Sequence, residues 1–460
     1  MTPALLSLIS TFDTAVDFPI PGEPVMSQIA VKSARPLGLR YMKVPGSPPQ
    51  PENRLTALGA ARSKSRVRLV EHVEGRTRLL VPAVSLEADP PPTSPVFFNP
   101  VASLNRDVSV CLTSAAGGTT FCDSMAGVGS RGIRVANEVD AVEHVTLVDF
   151  NKEALRIGGK AAALNRVARK CEFAESETSS YLYSRYGRGK RFDFVDVDPF
   201  GTPVGQLQGA IGATSDGGIL SVTATDTAVL CGVHPRVAIR RYGATPLNNE
   251  FRHETAIRLL AGSVARCAAS LETGVRPVAA HSTRHYVRLY LSIGIGATKA
   301  DSTLGNMGHV TWCPACGHRA TSKEPSPACG KCRKKARSAG PLWVGPLLDT
   351  DLLLAARKSA DETGLARASE TIASLLGADS FPPWSFSVDE VCSALGIATV
   401  SESEIYRALK ENGYSAMRTP FEKTGLKTGA DRAEVVKAVE ACSKLRRGKG
   451  RYPLRMPSQK

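Results

Sequence analysis

The sequence predicts an α/β protein whose core is a largely parallel, doubly wound sheet covered by helices on both faces. The first observation is that mostly apolar strands alternate with helical stretches between residues 119 and 226. The second is that acidic residues end or follow several of these strands, and the third is a glycine-containing loop after the first strand. With 460 residues, the chain is long enough for this domain and for further ones.

The predicted strands are short apolar runs bounded by polar or glycine-containing segments. In chain order they are "TTFCD" (119–123), "HVTLVDFN" (144–151), "CEFAE" (171–175), "RFDFVDVD" (191–198) and "GGILSVTATD" (217–226). Segments such as "SRGIRVANEV" (130–139) predict the intervening helices. A later alternating segment, "HYVRLYLSI" (285–293), predicts a strand that closes the sheet.

Composition divides the chain into a sheet domain and four flanking segments. Residues 1–65 are rich in proline and small residues, and they predict a poorly ordered N-terminal extension. The other predicted units are the sheet domain (66–300), a four-cysteine module (301–345), a C-terminal RNA-binding domain (346–443) and a basic tail (444–460).

The C-terminal domain is predicted to be an α+β, winged-helix-like unit. Two Ser-x-x-Glu capping boxes, Ser387 with Glu390 and Ser401 with Glu404, each begin a short helix. The segment "YSAMRT" (414–419) then predicts a strand. Helix pairs are common, so this pattern alone is a weak indication of nucleic-acid binding.

The charge of the chain favours a polyanionic partner. The formal net charge is +15, and three basic runs contain no acid: "ARSKSRVR" (61–68), "KCRKKAR" (331–337) and the tail 443–460. No apolar run reaches the roughly 18 residues that suggest a membrane span. The N-terminus lacks the basic segment of a secretory signal, which predicts a cytoplasmic protein rather than one with a weak export signal.

Acidic residues and glycines at the predicted strand ends indicate a cofactor pocket. Asp123 ends the first strand, Gly127 and Gly129 follow in the loop, and Asp149 ends the second strand, where an acid reaches ribose hydroxyls. Glu177 lies just after the third strand. Because Gly127, Gly129 and Gly132 also satisfy Gly-x-Gly-x-x-Gly, a dinucleotide-binding domain or a simple tight turn fits this loop as well.

The end of the fourth strand, "DVDPFGTP", favours methyl transfer over hydride transfer. Asp198 can accept hydrogen bonds from an exocyclic amine, Pro199 keeps the turn rigid, and Phe200 offers a stacking face for a base. A base inside a duplex would have to be extruded to reach this corner. The alternative interpretation is that Asp-Pro-Phe-Gly is merely a turn that ends a strand.

Five segments carry a resemblance to the tRNA (guanine-N2-)-dimethyltransferase family, which methylates guanine 26 of tRNA. They are "PVFFNPVASLNRDVSV" (95–110), "DSMAGVGSRGIRVANEV" (123–139), "DVDPFGTP" (196–203), the long block 222–254 and "GPLWVGPLLD" (340–349). The resemblance runs from about residue 67 to residue 435. It implies a class I (Rossmann-like) S-adenosylmethionine methyltransferase fold, and S-adenosylmethionine as the methyl donor.

The resemblance also implies roles for individual residues and a substrate. Asp198 would be the catalytic acid, and the residues in contact with the donor would be Arg106, Arg131, Asp149, Glu177 and Thr178. The implied reaction adds one and then a second methyl group to N2 of guanine in tRNA. The sequence does not fix the oligomeric state, and a monomer is a reasonable expectation. The rival hypotheses are an N-methyltransferase acting on ribosomal RNA or DNA adenine, and a non-catalytic, zinc-containing RNA-binding protein.

Four cysteines have the spacing of a metal site. Cys313 and Cys316 form one Cys-x2-Cys pair, and Cys329 and Cys332 form another. Each pair forms a turn, called a knuckle, whose two thiols face the same point. Two such knuckles predict a closed tetrahedral site for a structural Zn2+ rather than redox-active or unligated thiols. The basic residues beside this site could grip phosphates; they are Lys331, Arg333, Lys334, Lys335 and Arg337.

Overall fold

The computed structural model describes residues 67–283, 286–422 and 424–449 of the chain. The predicted N-terminal extension and residues 450–460 of the predicted basic tail lie outside these residues. No helix within the described ranges is both long enough and apolar enough to cross a membrane.

Strands and helices alternate along most of the described chain. The strands are β1 (Leu69–Glu74), β2 (Thr77–Pro82), β3 (Thr120–Asp123), β4 (His144–Asp149), β5 (Cys171–Glu175), β6 (Phe192–Val197), β7 (Thr214–Ala224), β8 (Thr273–Ser282), β9 (Val287–Ile295), β10 (Met307–Trp312), β11 (Arg319–Ser322), β12 (Arg337–Trp343), β13 (Ala416–Arg418) and β14 (Leu426–Thr428). The helices are α1 (Val84–Glu87), α2 (Ser103–Ala116), α3 (Ser130–Glu138), α4 (Lys152–Leu164), α5 (Thr178–Gly187), α6 (Leu207–Ala213), α7 (Thr227–Leu230), α8 (Pro235–Tyr242), α9 (Arg252–Ala269), α10 (Ala297–Gly305), α11 (Thr350–Glu362), α12 (Ala366–Leu375), α13 (Val388–Ala394), α14 (Glu402–Glu411) and α15 (Arg432–Lys449).

A seven-stranded sheet of order β5-β4-β3-β6-β7-β9-β8 forms the centre of the protein. The five predicted strands are confirmed as β3 to β7, and they run parallel to one another. The chain moves outward from β3 to β5 and then returns to β6 on the other side of β3. A parallel sheet binds ligands outside the carboxyl ends of its strands at such a reversal.

The prediction for the last strand was wrong in one respect. β9 does not close the sheet but lies between β7 and β8 and is antiparallel to both. The edge strand is β8, which the sequence pattern did not reveal because Gly274 and Pro277 interrupt it. Pro277 lies where the β8–β9 register shifts, a position in which a missing backbone N–H is tolerated.

Two helical layers cover the sheet. Helices α2, α3 and α4, joined by α11 and α12, pack as one group, and α5, α6 and α9 pack as the other. The strands therefore face apolar residues on both sides: Val145, Val195, Leu220 and Leu289 are all fully buried. This double covering explains why the strands appear in the sequence as continuous apolar runs.

Two further units follow the sheet. Strands β11, β10 and β12 form a small antiparallel sheet that carries the four cysteines at one end, and α13, α14, α15 and the β13–β14 pair share a separate core. The predicted order of helix, helix and strand is confirmed, whereas the winged-helix-like character and the domain boundaries stay predictions.

Only one of the two predicted capping boxes is complete. Ser401 and Glu404 form both reciprocal hydrogen bonds at the start of α14. At α13, the Ser387 side chain accepts from the Glu390 backbone N–H at 3.2 Å, but the Ser387 N–H donates to Glu250 at 2.8 Å. Glu250, which is distant in sequence, thus replaces Glu390 in the second half of the box.

Candidate active site

Three of the predicted acidic residues lie along the carboxyl edge of the sheet. Asp123 ends β3, Asp149 ends β4 and Asp198 follows β6. Because β4, β3 and β6 are parallel neighbours, their carboxyl ends meet at this edge. Asp123 is 3% exposed, whereas the Asp198 side chain is 31% exposed. The edge therefore has a buried acid in its middle and an accessible one beside it.

The Asp-Pro-Phe-Gly corner is a rigid turn with an exposed aromatic ring. Pro199 is buried, and Phe200 is 69% exposed. Gly201 has a φ of 86°, and its N–H donates to the Thr225 hydroxyl at 2.6 Å. The Thr225 N–H donates back to the Gly201 carbonyl at 2.8 Å, which ties the corner to the end of β7. The turn thus holds the acid and the ring side by side.

Arg131, in the first turn of α3, holds the Asp198 carboxylate in place. Its Nη2 donates to Asp198 Oδ2 at 2.5 Å, and its Nε lies 3.2 Å from Asp196 Oδ1 as an ion pair. Its Nη1 donates to Asn105 and to Ser109 on α2, at 2.9 and 2.6 Å. Because Arg131 is only 5% exposed, it positions Asp198 from inside the protein.

Beneath Asp198 lies a fully buried ion pair between Asp196 and Arg288. Arg288 on β9 donates to Asp196 Oδ2, and the Ser221 hydroxyl donates to the same oxygen at 2.5 Å. Burial alone would raise the pKa of Asp196, but Arg131 and Arg288 hold it below its ordinary value. Burial and the charge of Asp196 raise the pKa of Asp123. Asp196 is therefore an ionised anchor for two arginines.

The loop after β3 brings its backbone close to the strand ends. Gly127 and Gly129 have positive φ values of 55° and 77°. The Gly127 N–H donates to Asp149 Oδ2 at 2.7 Å, which joins the loop to the end of β4. A Cβ on Gly129 would lie 2.6 Å from a methyl carbon of Leu147, so only glycine fits there.

Glu177 and Thr178 lie at the start of α5, next to the same edge. The Glu177 carboxylate caps the helix by accepting from the N–H groups of Ser179 and Ser180, which lower its pKa. The Thr178 hydroxyl donates to the Ser124 carbonyl at 2.7 Å. Both side chains thus position the loops that follow β3 and β5, and their predicted contacts with a cofactor stay predictions.

Arg106 is as buried as Arg131, but its partners do not belong to the carboxyl edge. It forms a buried ion pair with Glu74 at the end of β1, with Nη2 2.5 Å from Oε1. It also donates to the Asn99 carbonyl at 3.0 Å and lies over the Phe98 ring. The structure therefore joins Arg106 to the N-terminal hairpin, and its contact with a cofactor stays a prediction.

Two aromatic residues at this edge were missed at the sequence level. Phe97 packs edge-on against Phe200, with 4.8 Å between ring centroids. Phe150, directly after Asp149, is 81% exposed. The signal for Phe150 was available, because a large apolar residue immediately after an acid that ends a strand has no place in the core.

The buried pair of Asp196 and Arg288 was also missed as part of the site. Asp196 stands two residues before Asp198, so its own position was visible in the sequence. Arg288 interrupts an otherwise apolar strand, which is an available signal for a buried charge that requires a partner. Local patterns do not reveal, however, that this partner is 92 residues away.

The four cysteines converge as predicted. Their sulfur atoms all lie within 4.8 Å of one another, and the Cys313–Cys332 and Cys316–Cys329 pairs are each 3.6 Å apart. A tetrahedral Zn2+ with Zn–S distances of about 2.3 Å requires sulfurs about 3.8 Å apart, so the group fits. The N–H groups of Cys332 and Lys331 point at Cys329 Sγ and lower its pKa to about 6. Four sulfur ligands would leave no open coordination position around the ion.

The fold and the edge define a class I methyltransferase sheet. A dinucleotide-binding Rossmann sheet continues in parallel order on both sides of the reversal. Here the antiparallel β9 is inserted between β7 and β8. The sheet is therefore not that of a dinucleotide-binding domain, which the glycine loop alone had allowed.

Comparisons with known proteins identify the family. A profile of the family described as N2,N2-dimethylguanosine tRNA methyltransferase matches residues 75–440. The tRNA (guanine(26)-N(2))-dimethyltransferase of Methanosarcina acetivorans is 35% identical over 393 residues, which cover 81% of this chain and 98% of the relative. The enzyme of the same name from Pyrococcus horikoshii is 34% identical over 378 residues, covering 79% and 96%.

A solved structure agrees with these relatives. It is described as the complex of Trm1 from Pyrococcus horikoshii with S-adenosyl-L-methionine, and it matches with a TM-score of 0.71 and 32% identity. The match covers 81% of this chain and 100% of that one. The chain therefore belongs to the N2,N2-dimethylguanosine tRNA methyltransferase family, and the predicted resemblance is confirmed.

Proposed function

We propose that this protein transfers methyl groups from S-adenosylmethionine to the exocyclic N2 of a guanine in tRNA, first one and then a second. The position expected is 26, as in the names of its relatives. The observation that carries the proposal is the Asp198 corner. A buried arginine orients this carboxylate beside an exposed aromatic ring, at the ligand-binding edge of a methyltransferase sheet.

Asp198 acts on the guanine amine. The lone pair of N2 is delocalised into the ring, and a carboxylate that accepts an N–H hydrogen bond favours a pyramidal nitrogen. Arg131 occupies Oδ2, and Oδ1 has no partner among the described residues, so Oδ1 is the acceptor. It also receives the proton that the amine must lose. N2 starts with two hydrogens, so the same carboxylate can act twice.

The two phenylalanines of the corner hold the base. Phe200 presents its ring to solvent, and Phe97 lies edge-on to it, so an extruded guanine can be held against aromatic surface. Pro199 and the Gly201–Thr225 hydrogen bonds keep this surface from moving relative to Asp198. Positioning and electrostatics therefore supply most of the catalysis.

The donor is assigned to the rest of the carboxyl edge. When bound, it would supply a methyl group on a positively charged sulfur. The neutral thioether that remains after the transfer is a good leaving group. Asp149 would accept hydrogen bonds from the ribose hydroxyls, and Phe150 would stack on the adenine. The other residues assigned to donor binding are Arg106, Asp123, Gly127, Gly129, Arg131, Glu177 and Thr178.

The cysteine module and the C-terminal helices are assigned to RNA binding. A structural Zn2+ held by the four cysteines would stabilise the knuckles. The basic residues beside them are exposed: Lys331, Arg333, Lys334, Lys335 and Arg337. Lys331 is paired with Asp431 at 2.9 Å, so a phosphate would have to replace that carboxylate. We propose a cytoplasmic location, where a tRNA substrate is found. One chain contains every residue that the mechanism uses, so a monomer is able to carry out the reaction.

Incubation of unmodified tRNA with labelled donor, followed by nucleoside mapping, tests the proposal. We expect N2-methylguanosine and then N2,N2-dimethylguanosine at one position. Asp198→Ala should abolish both. Asp216→Ala is the matched control, because Asp216 is an exposed aspartate paired with Lys299 near the start of β7. Label on adenine, or an undiminished Asp198→Ala, would overturn the proposal.

A further inference from the structure

A second cleft lies between the cysteine module and the C-terminal helices. Its volume is about 600 Å³, which suits a ligand of nucleotide size. It is lined by Trp312 at the end of β10, by Glu390 on α13 and by Arg432 at the start of α15. The first cysteine knuckle contributes Pro314, Ala315 and Gly317. Glu250 also lines it. None of these residues belongs to the carboxyl edge of the main sheet.

Glu390 is a hydrogen-bond acceptor that the fold leaves free. The Ser387 N–H, which a capping box would give to Glu390, donates to Glu250 instead. The Glu390 carboxylate has no hydrogen bond within the part of the chain that the structure describes. Glu390 is an exposed residue, and partial burial of its carboxylate, followed by the neighbouring charge of Glu250, raises its pKa. A carboxylate released from its cap in this way gains from a ligand with N–H donors.

A cation and an aromatic ring line the cleft together with this acceptor. The Trp312 ring is part of the lining, but its Nε1 atom is buried and has no partner among the described residues. The Arg432 guanidinium is 3.8 Å from Glu250, too far for a hydrogen bond. Gly317 leaves room for it, because a Cβ there would lie 2.0 Å from Arg432 Cδ.

The base of the cleft is rigid. Glu250 pairs with Arg319, and both side chains are 2% exposed. The Arg319 guanidinium lies over the rings of Phe251 and Phe386. Glu250 is thus fixed between Arg319 and the Ser387 N–H and does not compete for a ligand.

The charges of the cleft disfavour a phosphate but fit a base. Arg319 compensates the charge of Glu250, and the two remaining acids, Asp389 and Glu390, outnumber the single lining cation, Arg432. The exposed basic residues of segment 331–337 lie in the adjoining knuckle, outside the lining. A base can therefore enter the cleft while the phosphates of the same RNA contact the exposed basic residues of segment 331–337.

We infer that the cleft captures one unstacked guanine of the tRNA, at a place distinct from the methylated one; this inference rests on the proposed function. Guanine offers two adjacent N–H donors to the Glu390 carboxylate and two acceptors, O6 and N7, to Arg432. Trp312 supplies an aromatic surface. Unpaired bases in tRNA loops are available for such capture, whereas bases within a duplex are not.

The test is the affinity of the full-length protein for an unmodified tRNA transcript, measured by fluorescence anisotropy at several salt concentrations. Glu390→Gln should raise the Kd about tenfold without changing the salt slope, because a base contact is lost and no phosphate contact. Glu411→Gln, at the exposed end of α14, is the control and should bind like the wild type. Thermal melting and donor affinity should be the same in all three proteins.

A transcript that contains 6-thioguanosine supplies a second readout. We expect a photo-crosslink to the peptide that carries Trp312, and its loss in Glu390→Gln. If the wild type methylates the transcript but Glu390→Gln binds it equally well or more tightly, the inference is wrong and the proposed function stands. A cleft that serves a basic peptide would give this same result. If the wild type neither binds nor methylates the transcript, the proposed function itself fails.

Discussion

The carboxyl edge and the second cleft each contain an acid and an arginine, but the two regions use them differently. At the edge, Arg131 donates to Asp198 at 2.5 Å, and its other contacts are Asn105, Ser109 and Asp196. In the cleft, Glu390 has no partner in the described structure. The first arrangement is organised before any ligand arrives, as chemistry requires. The second keeps its hydrogen-bonding capacity for a ligand, as recognition requires.

The hydrophobic cores beneath the two regions also differ. The edge rests on the continuous core of the seven-stranded sheet. The cleft rests on the small cores of the cysteine module and the C-terminal helices, which are separate from the main one. Changes at the edge should therefore alter the rate of methyl transfer, and changes around the cleft should alter tRNA affinity. The following predictions test this division.

Replacing the arginine that orients Asp198 should have the largest effect. Arg131→Lys keeps the charge but loses the fork that holds Asp198, Asn105 and Ser109 together, so we expect kcat to fall roughly 100-fold. The KM for tRNA should change little. Arg156→Lys is the control, because Arg156 is in an exposed ion pair on α4. A raised KM with an unchanged kcat would show that Arg131 binds tRNA rather than positioning Asp198.

Removing a cysteine ligand should affect tRNA binding but not donor binding. Cys316→Ser should lower the zinc content measured by mass spectrometry and weaken tRNA binding about tenfold, because the knuckle forms one wall of the cleft. Donor affinity should stay at the wild-type value. Cys267→Ser, a half-buried thiol outside the cluster, is the control. Purified wild-type protein without zinc would contradict the assignment of the four cysteines.

The ion pair between His253 on α9 and Glu422, which follows β13, should contribute to stability in a pH-dependent way. Hydrogen bonds with the Cys231 sulfur and the Glu422 carboxylate raise the pKa of His253 from 6.5 to about 9. The folded-state pKa is the higher one, so the stabilisation is complete below pH 6.5 and is lost as the pH rises through 9.

Glu422→Gln should therefore lower the free energy of unfolding by about 1 kcal/mol near pH 6 and by almost nothing near pH 10. Denaturant unfolding of the variant and the wild type at both pH values measures this difference. Glu370→Gln, an exposed acid on α12, should show no pH-dependent loss. A deficit that persists unchanged at the higher pH would mean that the ion pair is not its cause.

Much of the fold was predictable because it depends on local patterns. Most residues of β3, β4, β6 and the second half of β7 are buried, so each of these strands appears as an apolar run, whereas β5 at the end of the sheet is only partly buried. Acids at or just after several strand ends mark the carboxyl edge. The cysteine spacing is equally local. The position of β9 was not predictable, because alternation indicates a strand but not its neighbours.

The parts of the site that were missed depend on distant pairs. Arg288 reaches Asp196 across 92 residues, and Glu250 reaches Ser387 across 137. The second contact changes the interpretation of a sequence motif. In the Ser387 capping box, the Ser387 N–H donates to Glu250 instead of Glu390, so the Glu390 carboxylate takes no part in the cap. Neither event leaves a periodic signal in the chain.

The most direct test is a crystal structure of the protein with S-adenosylhomocysteine and unmodified tRNA. The measurement is the distance from the Asp198 carboxylate to N2 of the target guanine. We predict an extruded guanine packed against Phe200, with N2 about 2.6–3.2 Å from an Asp198 oxygen. A guanine that remains in the duplex, or one whose N2 faces away from Asp198, would contradict the account.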